Sequence, residues 1–126
     1  MSGVNLAQQY EQDKQKLVRF CFSKYEADGT LHESYITHVR IIEDSHYPST
    51  KPPPNALHTH KKTRILSLAV KRSGTVRLHK GRENPNGTFQ IGRTWSLDEL
   101  SEIQIVNGTD CGLIVTLGKP YYWETN

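Results

Sequence analysis

The sequence predicts a small, mainly β domain with one N-terminal helix, and three observations support this. After about residue 33, the spacing of apolar residues changes from helical steps to the alternation that is typical of strands. Gly, Pro and Asn-Gly turn signals separate most of these alternating segments. The chain has 126 residues, 35% of them hydrophobic and 23% charged, which suits one domain with one core. A barrel or a sandwich is the architecture that such a series of strands favours.

The N-terminal segment, residues 4–24, is predicted to be the helix. Its apolar residues recur mostly at steps of three and four, with Glu, Gln and Lys between them. These residues are Leu6, Tyr10, Leu17, Phe20 and Cys21. A strand over Val18, Phe20 and Phe22 is the alternative interpretation of the same segment.

Seven strands are predicted after the helix, at residues 34–43, 64–72, 75–80, 88–97, 100–106, 113–117 and 121–125. A long loop at residues 44–63 separates the first two, because three consecutive prolines there cannot donate hydrogen bonds to a strand. The chain is therefore predicted to be a single domain over residues 1–126, with a helical segment at 1–28. The side chains expected in its core are Leu66, Leu68, Val76, Leu78, Ile105, Val115 and either Tyr121 or Trp123.

The net charge of +3 conceals a strong asymmetry along the chain. Between residues 51 and 93 there are ten Lys or Arg and one acidic residue, whereas the remainder is acidic. Such a difference predicts one strongly positive surface. The partner of that surface is expected to be an anion: a membrane, a phosphorylated ligand or a nucleic acid.

The up-and-down order of the strands places most of these cations at one end of the barrel. Lys71 and Arg72 fall at the opposite end. Arg93 shares the alternation phase of the apolar residues before it, unless a bulge at Gly92 turns it outward. The cations expected to converge are Lys61, Lys62, Arg64, Lys80 and Arg82. The plainer alternative is that the charges only solvate exposed strand faces.

A cluster of Arg and Lys is the arrangement that phosphate groups require. Each phosphomonoester carries roughly −1.5 to −2 charges and several acceptor oxygens. Arg contributes a planar fork of donors and Lys a compact point charge. The sequence therefore favours a site for a multiply phosphorylated ligand at this end of the barrel.

Other classes of function have weaker support in the sequence. No Gly-rich phosphate loop precedes a helix, and no nucleophile has a recognisable catalytic context, so we expect no enzyme activity. His46, His58 and His60 are close in sequence but lack a recognisable set of further ligands for zinc, so we expect no metal and no cofactor. Cys21 and Cys111 are expected to be reduced thiols packed among apolar neighbours.

Any membrane binding is expected to come from the folded surface. The longest strongly apolar run, about residues 65–70, is much shorter than the roughly 20 residues of a membrane-spanning helix. The N-terminus lacks the basic and apolar regions of a secretory signal. We therefore expect a cytoplasmic protein.

Several segments together resemble one family. They are ESYITH at residues 33–38, the Pro-rich loop, LHKGREN at 78–84, NGTFQIGRTWSLDEL at 86–100 and YYW at 121–123. Over about residues 10–125 the chain resembles the N-terminal domain of the fungal exocyst subunit Sec-three. The resemblance implies a seven-stranded pleckstrin-homology-like barrel that binds phosphatidylinositol 4,5-bisphosphate. The positions that match the lipid site of the family are Lys61, Lys62, Arg64, Lys80, Arg82 and Arg93.

The resemblance also implies a cellular role. It implies binding to a Rho-family GTPase and tethering of secretory vesicles at the plasma membrane, at sites of polarised secretion. Other exocyst subunits would be reached through the rest of the full-length protein. Two alternatives stay open: a protein-interaction module whose basic face docks an acidic partner, and single-stranded nucleic-acid binding. The second is disfavoured because no aromatic residue interleaves with the cations between residues 61 and 82.

A pleckstrin-homology barrel normally carries a C-terminal helix after its seventh strand, and none is predicted before residue 126. Leaving part of the barrel core exposed to water would cost several kcal/mol, at about 25 cal/mol per Å². We therefore expect the N-terminal helix to pack against the barrel instead. The side chains expected to make this contact are Tyr10, Leu17, Phe20 and Cys21.

Overall fold

The computed structural model describes residues 3–106 and 111–125, which form one helix followed by seven strands. The elements are α1 (Gly3–Cys21), β1 (Glu33–Asp44), β2 (Lys61–Lys71), β3 (Val76–Glu83), β4 (Phe89–Ser96), β5 (Leu100–Ile105), β6 (Gly112–Leu117) and β7 (Lys119–Thr125). Short 3-10 turns at His58–His60 and Leu97–Glu99 precede β2 and β5. The predicted mainly β fold with one N-terminal helix is confirmed. The sequence-predicted turn after β5 lies mostly outside the described residues.

All seven strands belong to one antiparallel sheet in the order β4-β3-β2-β1-β7-β6-β5. The last strand pairs with the first, and this sets the position of the β6–β7 turn. Ile41 lies opposite Thr125 and Ile42 opposite Glu124, so the end of β7 lies beside the second half of β1. Because the strands are antiparallel, β7 must begin beyond the end of β1. The β6–β7 turn around Gly118 therefore lies at the same end as the β1–β2 loop.

The sheet curls around an inner core that joins its two halves. Trp95 of β4 contacts Tyr121 of β7, with ring centroids 5.3 Å apart. Ile105, which the sequence predicted to be in the core, is instead 75% exposed. It is the last residue of β5, one of the two edge strands, and every residue of that strand after Leu100 is exposed. The buried side chains of the inner core are Ile41, Trp95, Val115, Leu117, Tyr121 and Trp123.

A second core lies on the outer face of the same sheet, beneath α1. There the buried side chains are Leu17, Phe22, Ile65, Ala69 and Phe89. Strand β2 is consequently covered on both faces between residues 65 and 70, where the face towards α1 is buried and the face towards the inner core is half-buried. The sequence predicted only one core face on this strand, that of Leu66 and Leu68. The prediction was incomplete, because the helix covers the opposite face of the strand.

The helix meets the sheet with a different face from the one predicted. Leu17 is 3% exposed, as expected, but Phe20 is 40% exposed, so its predicted burial was wrong. The stripe that faces the sheet follows the four-residue spacing of Asp13, Leu17 and Cys21. Asp13 belongs in this stripe because its carboxylate accepts two hydrogen bonds from Arg40, at 2.6 and 2.8 Å.

The residues at the edges of the helix contact also differ from the prediction. Tyr10 stays 42% exposed, but its ring stacks on His38 with centroids 4.2 Å apart. Phe22, directly after the helix, is 2% exposed and takes the place in the core that was expected for Phe20. Cys21 is a partly buried free thiol whose pKa burial raises to about 11. Cys111 is also free and partly exposed.

The long β1–β2 loop is hydrogen bonded to the backbone of β7. The Pro48 carbonyl accepts a 2.8 Å hydrogen bond from the Tyr122 backbone amide. The rings of His46 and His60 stack with centroids 3.6 Å apart, near the two ends of the loop. The loop is therefore attached to the sheet at its base, and it leads directly into the first cations of β2.

Replacing Leu17 with Ala should lower the free energy of unfolding by about 2–5 kcal/mol, because it leaves a cavity between α1 and the sheet. Phe20→Ala removes a larger side chain from the same helix but should cost less than about 1 kcal/mol, since Phe20 is largely in solvent. Urea denaturation of the two variants measures both values. Equal losses would contradict the described orientation of the helix.

Stability should also depend on the protonation of His38. This residue is 7% exposed and hydrogen bonds to the Tyr35 hydroxyl at 2.6 Å. Burial lowers the pKa of His38 and outweighs the nearby Asp13 charge, which raises it. The unfolded chain therefore binds a proton more readily than the folded chain. Stability should fall as pH drops below about 6.5 and continue to fall until the folded pKa is reached.

Thermal unfolding at pH 7.5 and pH 5.5 tests this expectation. The difference between the two melting temperatures should shrink in His38→Gln. His58→Gln provides the control, because His58 is exposed and lies in the β1–β2 loop. A pH dependence that His38→Gln leaves unchanged would assign the effect to other groups.

Candidate anion-binding site

Four of the six predicted site residues line one cleft of about 320 Å³ between β2, β3 and β4. Gly81, Gln90 and Gly92 complete its wall. We call the four cations the basic mouth; they are Arg64, Lys80, Arg82 and Arg93. Strands β2, β3 and β4 are adjacent in the sheet, so their register brings together residues that are up to 29 positions apart in the sequence.

A bulge in β4 places Arg93 in the basic mouth. Lys80 lies opposite Arg93, but the next residue, Gly81, lies opposite Ile91, so Gly92 is an extra residue. Phe89 and Ile91 consequently pack towards α1, whereas Arg93 faces the same side as the inner-core Trp95. The sequence left open whether Arg93 faces the same side as Phe89 and Ile91 or is turned away from them by a bulge at Gly92. The structure contains this bulge, and Arg93 faces the other side.

An aromatic floor lies beneath the basic mouth. The centroid of the Tyr121 ring is 5.9 Å from Lys80 Nζ and 6.0 Å from Arg93 Cζ. Arg93 Cζ is also 5.1 Å from the Trp95 ring. Each cation is attracted by the ring beneath it. Tyr121 and Trp95 are both buried, so they do not offer the exposed rings on which nucleobases stack.

Lys119 is a further cation at the same end, and the sequence analysis did not include it. Its Nζ is 5.4 Å from the centroid of the Tyr121 ring, the ring that Lys80 and Arg93 also approach. It is the first residue of β7 and directly follows the β6–β7 turn. A plain up-and-down order of strands would not assign this turn to the mouth, since that assignment depends on the pairing of β7 with β1.

The two remaining predicted residues, Lys61 and Lys62, point to opposite faces of β2 because side chains alternate along a strand. Lys62 is exposed and shares the phase of Arg64. Lys61 has the other phase, and its Nζ lies 3.6 Å from Glu124 Oε1. The structure therefore brings Lys62 to the rim of the basic mouth and directs Lys61 away from it.

One carboxylate reaches into the basic mouth from β1. Glu43 Oε1 is 3.0 Å from Arg64 Nε, and Glu43 Oε2 accepts a 2.7 Å hydrogen bond from Lys80 Nζ. Its side chain is 21% exposed. Two of the four mouth cations are thus paired with a fixed acidic group of the chain itself.

Cations at the other end of the sheet are paired with acids that lie outside the mouth. Arg72 pairs with Asp28, and Arg77 donates two hydrogen bonds, of 2.9 and 3.0 Å, to the buried Glu33. Burial raises the pKa of Glu33, but hydrogen bonds from Arg77 and His79 outweigh it and lower the pKa overall. Arg72 and Arg77 are therefore paired with acids of the chain, as Arg64 and Lys80 are with Glu43.

The described residues give no indication of a metal site or a transmembrane helix. Within residues 3–106 and 111–125, no group of three or more His, Cys, Asp or Glu side chains could hold a metal ion. In the same residues, no helix is both long enough and apolar enough to span a membrane.

A comparison with protein families decides the assignment. The model described as "Exocyst complex component SEC3 N-terminal PIP2 binding PH" matches residues 59–126, which is more than half of the chain. The chain belongs to this family. The matched region contains β2 to β7 and every residue of the basic mouth. A search of curated proteins finds no match.

Membership of this family agrees with the architecture. The seven-stranded sheet is a pleckstrin-homology (PH) domain, and PIP2 in the family description denotes phosphatidylinositol 4,5-bisphosphate. The domain is a lipid-binding module of the exocyst and not a catalytic one. Helix α1 and strand β1 precede the matched region, so Glu43 and the helix contact lie outside it.

Gly81 should be sensitive to substitution, because the wall of the basic mouth leaves no room for a side chain. A Cβ atom there would lie 2.8 Å from the Gln90 carbonyl oxygen. Gly81→Ala should therefore shift β4 against β3 and lower the melting temperature by several degrees. Gly92→Ala is the control, since its Cβ would meet only the Lys80 carbonyl oxygen, at 3.7 Å. Equal tolerance of the two variants would contradict the described register.

Proposed function

We propose that the basic mouth binds the inositol bisphosphate headgroup of PIP2 and so attaches the domain to the membrane. The observation that carries this proposal is the convergence of four cations, from three strands, on one cleft above a buried aromatic floor. Family membership supports the same ligand.

The chemistry of the cleft suits two adjacent phosphomonoesters. Arg64, Arg82 and Arg93 each present a planar fork that can donate two hydrogen bonds to one phosphate. Lys80 adds a point charge held over Tyr121 and Trp123, at 5.9 and 6.0 Å from their ring centroids. A ligand with roughly −3 to −4 charges on two phosphates can engage all four cations at once, whereas a singly charged phosphodiester cannot.

Further cations at the rim can add contacts with the surrounding membrane. Lys62 and Lys119 are both exposed and lie at the end of the sheet that carries the basic mouth. A basic residue near an anionic leaflet contributes on the order of 1 kcal/mol. In this proposal Lys61, which also belongs to the predicted site, contacts lipid only after it separates from Glu124.

The wider role that we propose follows from the family. The domain would act in the cytoplasm as a peripheral protein of the plasma membrane at sites of polarised secretion, where the exocyst tethers vesicles. It would also bind a Rho-family GTPase. Incubation of the immobilised domain with a Rho-family GTPase tests this second contact. Retention of the GTP-loaded form over the GDP-loaded form is the expected result, and equal or absent retention would contradict it.

Liposome flotation tests the lipid site directly. Arg82→Ala/Arg93→Ala should weaken binding to vesicles containing 5% PIP2 by at least about tenfold, because each Arg supplies charge-assisted hydrogen bonds. Lys71→Ala/Arg72→Ala removes the same charge at the opposite end and should change binding less than about twofold. Equal losses in the two double variants would indicate attraction to general surface charge instead of a headgroup site.

Salt and a soluble competitor separate this proposal from an acidic protein partner or apolar insertion. Binding should weaken markedly between low and physiological ionic strength, where the Debye length falls to about 8 Å. Soluble inositol 1,4,5-trisphosphate should displace the domain from the vesicles. Binding that resists both salt and this competitor would contradict a headgroup site.

A further inference from the structure

Glu43 is an acidic residue placed inside a site for an anion. It is the penultimate residue of β1, just before the β1–β2 loop, and its two oxygens contact Arg64 at 3.0 Å and Lys80 at 2.7 Å. Among the ion pairs of the described residues, it is the carboxylate that contacts cations of the basic mouth. A headgroup phosphate that binds these cations therefore meets a negative charge that is already present.

A carboxylate in such a position has two opposing effects on ligand binding. It can hold the cations in the geometry that the ligand needs, which strengthens binding. It also repels the phosphate and competes with it for the same donors, which weakens binding. The balance depends on whether other contacts hold the cations in place when the carboxylate is removed.

Other contacts do hold both cations. Arg64 Nη1 donates a 2.9 Å hydrogen bond to the Thr63 carbonyl oxygen. Lys80 lies over the Tyr121 and Trp123 rings, and its side chain is only 17% exposed. Arg64 and Lys80 therefore have contacts besides Glu43 that hold them in position. Among the described ion pairs, however, Glu43 supplies the negative charge in the mouth.

We propose that Glu43 is an internal counter-anion that limits the affinity of the basic mouth for phosphorylated headgroups. The free domain holds Arg64 and Lys80 in ion pairs with Glu43, and the ligand must share or take over these cations. This inference rests on the proposed headgroup site and adds a residue that restrains it. Glu43 also lowers the net electrostatic gain on lipid binding, since Arg64 and Lys80 already have an anionic partner in the free domain.

The repulsion has a signature that a purely structural residue would lack. Coulomb energy is proportional to the charge of the ligand. Neutralising Glu43 should therefore strengthen binding most for the bisphosphate headgroup, less for a monophosphorylated phosphoinositide and least for phosphatidylserine. Removing a residue that only positions the cations would weaken binding to all three.

The decisive experiment compares wild-type domain and Glu43→Gln in flotation with three vesicle compositions. These contain PIP2, phosphatidylinositol 4-phosphate or phosphatidylserine, each in a phosphatidylcholine background. We expect Glu43→Gln to raise the affinity for PIP2 vesicles about tenfold and for phosphatidylserine vesicles about twofold, a gain that rises with ligand charge. Unchanged or weaker binding of Glu43→Gln to PIP2 would overturn the inference.

Three further variants control the comparison. Asp28→Asn makes the same change in net charge at the opposite end, beside Arg72, and should bind within about twofold of wild type. Glu43→Asp keeps the charge and should also stay close to wild type. Glu43→Ala should reproduce the gain of Glu43→Gln, and it provides a second measurement should either variant unfold. A gain in Asp28→Asn equal to that in Glu43→Gln would reduce the effect to net charge and overturn the inference.

The outcomes for the headgroup site and for Glu43 are separable. Failure of the wild-type domain to prefer PIP2 over phosphatidylserine would remove the proposed function. Preferential binding by wild type, with no gain in Glu43→Gln, would keep the function and remove only the role of Glu43.

Discussion

The contact among Trp95, Tyr121 and Trp123 is the interaction on which the rest of the domain depends. Trp95 belongs to one end of the sheet, and the other two rings belong to β7, four places away in the strand order. Their centroids lie 5.3 to 6.2 Å apart. Among the described residues the edge strands β4 and β5 do not pair with each other, so contacts between these rings help to hold the curled sheet together. The same rings support Lys80 and Arg93 from below. The same three rings therefore contribute both to packing in the core and to the placement of the mouth cations.

Much of the fold could be predicted from the sequence because most strands carry a clear alternation and most turns carry Gly or Asn-Gly. The second core could not be predicted in the same way. Its face on β2 consists of Ile65, Ser67 and Ala69, and a polar or small residue in such a row does not indicate burial. The helix was assigned correctly, but hydrophobicity alone favoured Phe20 as a core residue. In the structure Asp13 faces the sheet and pairs with Arg40, so the helix presents a different face from the one that hydrophobicity favours. An ion pair of this kind does not contribute to the apolar pattern from which the face was predicted.

The candidate site was predictable to the extent that it depends on neighbouring strands. Lys80 and Arg82 follow from the phase of β3, and Arg64 from the phase of β2. Strand alternation separates Lys61 from this group, although a cluster of adjacent cations in the sequence suggests a single unit. Lys119 escaped prediction because its position depends on the pairing of the first and last strands, which no local pattern encodes. The place of Glu43 was not predicted, because a cluster of cations in the sequence does not indicate which carboxylate of another strand will lie beside it.

The single extra residue at Gly92 has a consequence for which changes in chain length the domain can accept. Before Gly92, the β4 side chains Phe89 and Ile91 pack towards the helix. After Gly92, Arg93 and Trp95 face the inner side of the sheet, where the basic mouth lies. Deleting one residue there would move the side chains of one half of β4 to the opposite face of the sheet, because side chains alternate with a period of two. Insertions in the neighbouring turn, residues 84–88, leave both halves in phase. Natural variants of this domain should therefore differ freely in the length of that hairpin tip while keeping the length of β4 constant.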